Sequence, residues 1–144
     1  MSESEQQSIP PDGLAYAALG HFLQFTTWFL GPLVLYLVKR ESRFVAFHAM
    51  QALLWQAIYI AVLVFSFALF FVGLFASFPE AGESGPQPTG PPTAFLFFPL
   101  IWLFWMGGWA LTLVLGTVFG IKAIRGQWAE YPVIGKWARR IVGI

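Results

Sequence analysis

The sequence contains no cysteine, which removes disulfide scaffolds, thiolate zinc sites, iron–sulfur clusters and cysteine nucleophiles at once. Charge is nearly as scarce. Only 10% of the 144 residues are Asp, Glu, Lys or Arg, where a soluble domain carries about 25%, so a water-facing surface for the whole chain cannot be assembled. Apolar residues fill the gap, at 58% hydrophobic and 19% aromatic with a mean hydropathy of +0.68. Length allows one domain. An ordinary soluble protein is excluded, and the bilayer is the solvent this composition suits.

Residues 1–13 are polar and acidic, without Lys or Arg and without a short apolar core before a small-residue cleavage pattern, so they do not read as a secretory signal. Residues 14–38 carry no ionised side chain and are long enough for a first transmembrane helix, which needs about 20 residues. Asp12 is placed to cap its first turn, and Gly31-Pro32 to kink it. Residues 39–43 form a basic loop. The next uncharged run, 44–77, would measure about 50 Å as one helix, so its first half, which holds His48, Gln51 and Gln56, is expected at the interface or buried in protein. Residues 78–93 contain five prolines and three glycines and end any helix. Residues 94–121 read as a third span, and 122–144 as a basic amphipathic tail. The expected fold is all-α: three transmembrane helices plus a C-terminal interfacial helix.

The eight basic residues lie only in the first loop (Lys39, Arg40, Arg43) and the tail (Lys122, Arg125, Lys136, Arg139, Arg140). Three spans put both on one side, which the positive-inside rule makes cytoplasmic. Five of the seven acids, Glu3, Glu5, Asp12, Glu80 and Glu83, then fall outside. The expected topology is N-terminus outside and C-terminus inside, in a bacterial cytoplasmic membrane.

In the third span, Gly108, Thr112, Gly116 and Gly120 repeat at four-residue spacing and form a small-residue face that admits a second helix closely. Its partner is either another span or a second subunit. Gly13, Ala17, His21 and Gln24 form a weaker stripe. Beyond Pro132, twelve residues are too few to cross. Lys136, Arg139 and Arg140 alternate with Val133, Ile134, Trp137 and Ile141 at helical spacing, which suits a helix lying in the headgroup region or against a partner. Trp128 and Tyr131 are rings of the kind that settle at that level.

Chemistry has few candidates. No carboxylate lies in a span, no serine or threonine has a histidine and an acid near it in sequence, and no phosphate-binding glycine loop follows a strand. An enzyme is not expected, nor nucleic-acid binding. His21 and His48 are the titratable groups within apolar runs. On a continuous first helix they would differ in depth by roughly 20 Å, so a shared site requires that span to be broken or re-entrant. Each alone is explained by a hydrogen bond to its surroundings. The alternative for His21, with Ala17 leaving room one turn earlier, is axial ligation of a haem or chlorophyll-type pigment.

Three stretches carry a resemblance: Ala18-Leu19-Gly20-His21; Pro32 followed by the basic break and Phe47-His48-Ala49-Met50-Gln51-Ala52-Leu53; and Lys122-Ala123-Ile124-Arg125-Gly126 with Tyr131-Pro132. Together, over roughly residues 15–140, the chain resembles the bacterial branch of the family named after the twenty-kilodalton subunit of the chloroplast inner-envelope (Tic) translocon. That branch also includes magnetosome membrane proteins. The resemblance implies an α-helical integral membrane protein whose motif residues are His21, His48, Gln51, Lys122, Arg125 and Tyr131. The resulting expectation is a non-catalytic accessory or scaffold subunit that partners the bilayer and other membrane proteins or itself. The alternatives are an oligomeric translocation or permeation component, with His21, Gln24, His48 and Gln51 lining a wet cavity, and a pigment- or haem-associated subunit.

Overall fold

The computed structural model describes residues 9–78 and 90–144. Glu3, Glu5, Glu80 and Glu83, assigned above to the outer side, lie outside the described residues. Among those described there are five α-helices and no strand: α1 (Pro11–Leu23), α2 (Leu30–Val38), α3 (Arg43–Phe75), α4 (Phe98–Ile124) and α5 (Ile134–Val142), with a single 3-10 turn at Thr93–Leu96.

The expected first span is two short helices. Of the three expected spans, only α3 and α4 are long and apolar enough to cross a membrane. With 13 and 9 residues, α1 and α2 each fall short of the ~20 needed. The break follows from local chemistry. The Leu23 carbonyl accepts the backbone N–H of Thr27 at 2.8 Å and the Thr27 hydroxyl at 2.7 Å, which closes off α1. Trp28 then takes a left-handed conformation at φ 56°, which reverses the chain. Pro32 has no N–H to continue a helical ladder back through the turn. Gly31 is required there because a Cβ would run into Thr27 and Leu23. The two helices pack on each other as a hairpin. Residues 14–38 therefore do not form the single crossing on which the expected three-span topology was built. Asp12 sits inside the first turn of α1, where its charge suits the helix dipole, while Pro10 occupies the cap position with no side-chain cap.

The chain forms two compact units. The first comprises residues 1–58 and 110–144. Its core gathers Ala17, Ala18, Leu35, Phe44, Val45, Ala49 and Ala123 from α1, α2, α3 and α4. Small residues set the spacing: a Cβ on Gly20 would lie 3.3 Å from the Ala49 Cα and 3.2 Å from Leu35. Every residue from Phe44 to Ala52 is buried, so the first part of α3 is enclosed by protein. At the end of α4, Gly126 at φ 72° permits the Gln127 N–H to reach the Lys122 carbonyl at 3.0 Å, a left-handed stop that redirects the chain into the 127–133 segment. Gly143 ends α5 in the same way.

The second unit, Tyr59–Trp109, holds the later part of α3 and the earlier part of α4. Tyr59 donates to the Trp105 carbonyl at 2.9 Å, and aromatic pairs such as Phe67–Trp105 and Phe70–Phe98 follow along it. A cavity of about 440 Å³ lies among Ser66, Leu69, Phe70, Gly73, Thr93, Phe97 and Ile101. Val72 and Leu103 are more than 60% exposed, which water would penalise and hydrocarbon does not.

Candidate functional site

His21 and His48 meet in the first unit. The hairpin that ends α1 at Leu23 puts His21 against α3, and its Nε2 lies 2.9 Å from the Nδ1 of His48. The other nitrogen of His21, Nδ1, is 3.0 Å from the Tyr131 hydroxyl, and the Nε2 of His48 is 3.1 Å from the Gln127 carbonyl oxygen. Both rings are fully buried.

The protons in this chain can be assigned. A carbonyl only accepts, so His48 carries its hydrogen on Nε2. A neutral His48 therefore accepts at Nδ1, and His21 must donate from Nε2. The remaining His21 nitrogen accepts from the Tyr131 hydroxyl, whose oxygen in turn takes the Gln24 amide N–H at 3.4 Å. Polarity runs one way, from Gln24 through Tyr131, His21 and His48 to Gln127. Burial, and after it the neighbouring His48, holds the His21 imidazole well below its ordinary value, and burial pushes the Tyr131 phenol up. Both groups are thus kept neutral.

Glutamines fasten the surroundings. Gln51 donates to the Ala129 carbonyl at 3.1 Å and accepts the Tyr131 backbone N–H at 2.5 Å, so one side chain holds both ends of a turn. Gln56 donates to the Gln24 backbone carbonyl at 3.3 Å. Among the described residues, Gln24 Oε1 has no hydrogen-bond partner. Phe44 packs edge-on to His48, and Phe119 lies 4.5 Å from the Tyr131 ring. Tyr131, expected at the headgroups, is instead 1% exposed. Trp128 is half-buried between Phe44 and Phe47.

Of the motif residues, His21, His48, Gln51 and Tyr131 come together. Lys122 does not join them; its ammonium sits over the Phe119 ring at 5.0 Å, while Arg125 is exposed. The small-residue face of α4 meets other parts of the same chain: Gly108 faces Tyr59, Thr112 accepts the Trp55 indole N–H at 2.8 Å, Gly116 faces Gln24 and Phe25, and Gly120 faces Phe22. On α5, Arg139 pairs with Glu130 and lies over Phe47, whereas Lys136, Trp137 and Arg140 are exposed. Gln56 and Phe119 were not among the expected site residues, and Gln24 entered only as a lining residue of a cavity between subunits. A signal for Gln24 existed, since His21/Gln24 repeats the three-residue spacing of His48/Gln51 that puts each pair on one helix face.

The enclosure bears on two alternatives. His21, Gln24, His48 and Gln51 are sealed inside one chain rather than lining a cavity between subunits. Both nitrogens of His21 are engaged, so axial ligation would forfeit one of these bonds. Among the described residues no group of three or more His, Cys, Asp or Glu gathers to hold a metal.

Among the described residues the chain is all-helical, with two helices long and apolar enough to span a bilayer, a short helical hairpin and a closed polar cluster, which defines a small membrane protein. Residues 13–138 match the MamF/MmsF model, the magnetosome magnetite crystal formation protein family, and the chain belongs to that family. The match supports the magnetosome side of the resemblance drawn from the motifs and does not support its translocon side. No curated protein and no solved structure matches the chain.

Proposed function

We propose that this chain is a non-catalytic membrane protein that serves magnetite crystal formation from within a magnetosome membrane, as an accessory or scaffold subunit. The family supplies the process. The non-catalytic role rests on the closure of the polar cluster: its histidines and tyrosine are buried and spend their hydrogen-bonding capacity on one another and on the 127–131 backbone. Such a cluster locks α1 to α3 and to the segment after α4, and presents no group to a substrate. With two spans, the basic residues of the first loop and the tail share one side, which the positive-inside rule makes cytoplasmic.

The test is complementation in a magnetite-forming host from which its own family member has been deleted, read as crystal size by electron microscopy. The wild-type chain should restore size, and so should Tyr131→Phe, which keeps the ring and loses the hydroxyl, provided the variant reaches the membrane. Failure of the wild-type chain to change crystal size while present in the membrane would defeat the assignment to crystal formation. Loss of function in a normally inserted Tyr131→Phe would defeat the non-catalytic part.

A further inference from the structure

The outward face of α5 is built for a lipid surface. Inward, Ile134 packs with Phe119 and Tyr131, and Ala138 packs with Phe47 and Met50. Outward, Val133, Trp137 and Ile141 follow at successive turns and are 69%, 47% and 52% exposed. Lys136 and Arg140, one position before Trp137 and Ile141, are exposed beside them. Arg139 is withdrawn from this face by Glu130 and Phe47, which leaves Lys136 and Arg140, without an ion-pair partner among the described residues, flanking an apolar line. At 9 residues the helix is about 13 Å long and cannot cross. It begins within ten residues of Ile124, the last residue of the spanning α4, so it is tethered at the membrane surface.

We propose that this face of α5 lies in the interfacial plane of the bilayer that the chain spans, with Val133, Trp137 and Ile141 at the acyl boundary and Lys136 and Arg140 on anionic lipid phosphates. Three observations select a lipid occupant. The tether holds the helix at headgroup height, an indole suits that level, and the cations have long stems that reach past an apolar line to phosphate. The polar side of an ordinary surface helix would have no reason to carry Val, Trp and Ile in register.

The absence of native cysteine makes a single label unambiguous. Full-length protein carrying Ile141→Cys with a nitroxide is placed in nanodiscs of phosphatidylcholine alone or with phosphatidylglycerol, and its accessibility to oxygen and to a water-soluble nickel chelate is compared. The label should favour oxygen, more so in the anionic discs, and Lys136→Gln with Arg140→Gln should remove the difference between discs. With about fivefold in lipid affinity per surface cation, the double variant should lose roughly 25-fold in preference for phosphatidylglycerol over phosphatidylcholine, read by native mass spectrometry of retained lipid. Both substituted side chains are exposed, and an unchanged melting temperature verifies folding. A label freely accessible to nickel in anionic discs would overturn the proposal. So would equal depth in both discs, or spin–spin broadening that places a second copy on this face.

Discussion

The Nε2 of His21 donates to the Nδ1 of His48 across 2.9 Å, joining a short helix of the hairpin to one long and apolar enough to span a membrane. Because His48 ends on a carbonyl, this single bond sets the tautomers of both rings. Nitrogen-15 spectra of the histidine-labelled protein near neutral pH should show Nε2–H and bare Nδ1 in both residues. A Nδ1–H tautomer at His21 would contradict the assigned polarity.

The same chain dictates where an added proton goes. The Gln127 carbonyl keeps its bond to His48 Nε2–H, so the extra proton enters beyond it: His21 Nδ1 gains a hydrogen, and the charge is shared across the His21 Nε2–His48 Nδ1 bond. Whichever ring holds the charge, His21 Nδ1–H donates to the Tyr131 oxygen, and the Tyr131 hydroxyl turns to Gln24, whose Oε1 is without a partner among the described residues. A second proton would set two N–H groups against each other. The pair is expected to take up one proton and to titrate in a single step by both rings' nitrogen shifts; two resolved steps would refute the wiring.

Stability should depend on pH with a definite sign. The folded value of His21 lies below that of the unfolded ring, about 6.5, so on acidification the unfolded chain binds protons first and stability falls as pH drops below that value. Above it, this contribution is complete and flat. The loss can reach about 1.4 kcal/mol per pH unit for one proton. Melting in detergent should move down between pH 7.5 and 5, and His21→Gln should flatten the slope relative to wild type.

How much of this cluster could be read from sequence differs by residue. His21, His48, Gln51 and Tyr131 announce themselves as polar groups in apolar surroundings, and the small residues of α4 announce a close helix contact. Their meeting does not follow from that, because residues 14–38 form one uncharged run and hydropathy measures polarity without sensing direction. Two short helices and a turn made of Thr, Trp and Phe have the same hydropathy as a single span. The deciding features are local: Thr26 and Thr27 gathering on the Leu23 carbonyl, and Pro32 unable to continue a ladder. With the run folded in two, the roughly 20 Å expected between the histidines collapses to a hydrogen bond.

Gln51 should be the costliest single polar residue to lose. Replacing it with Leu keeps volume but leaves the Tyr131 N–H and the Ala129 carbonyl without their partner in a buried setting. At ~1–3 kcal/mol for each stranded group, the variant should unfold about 2–6 kcal/mol more easily in denaturant titrations. Tyr131→Phe strands the His21 acceptor and gives up the longer, weaker bond from the Gln24 amide at 3.4 Å, and should cost about 1–3 kcal/mol. An ordering with Tyr131→Phe the worse would show that the phenol, rather than the turn, carries the lock.

Two adjacent glycines of α4 make opposite predictions. A Cβ at Gly108 would lie 2.5 Å from the edge of the Tyr59 ring, whose hydroxyl is held by the Trp105 carbonyl, so the ring cannot swing away without giving up that bond. A Cβ at Gly107 would meet nothing within 4 Å. Alanine is the better helix former by about 1 kcal/mol. Gly107→Ala should therefore be neutral or raise the melting temperature, whereas Gly108→Ala should lower it, with overpacking of about 1–3 kcal/mol exceeding the propensity gain. Thermal unfolding of the two variants under one detergent condition separates a packed helix face from a merely small-residue one. Equal effects at the two positions would mean that Tyr59 does not rest on Gly108.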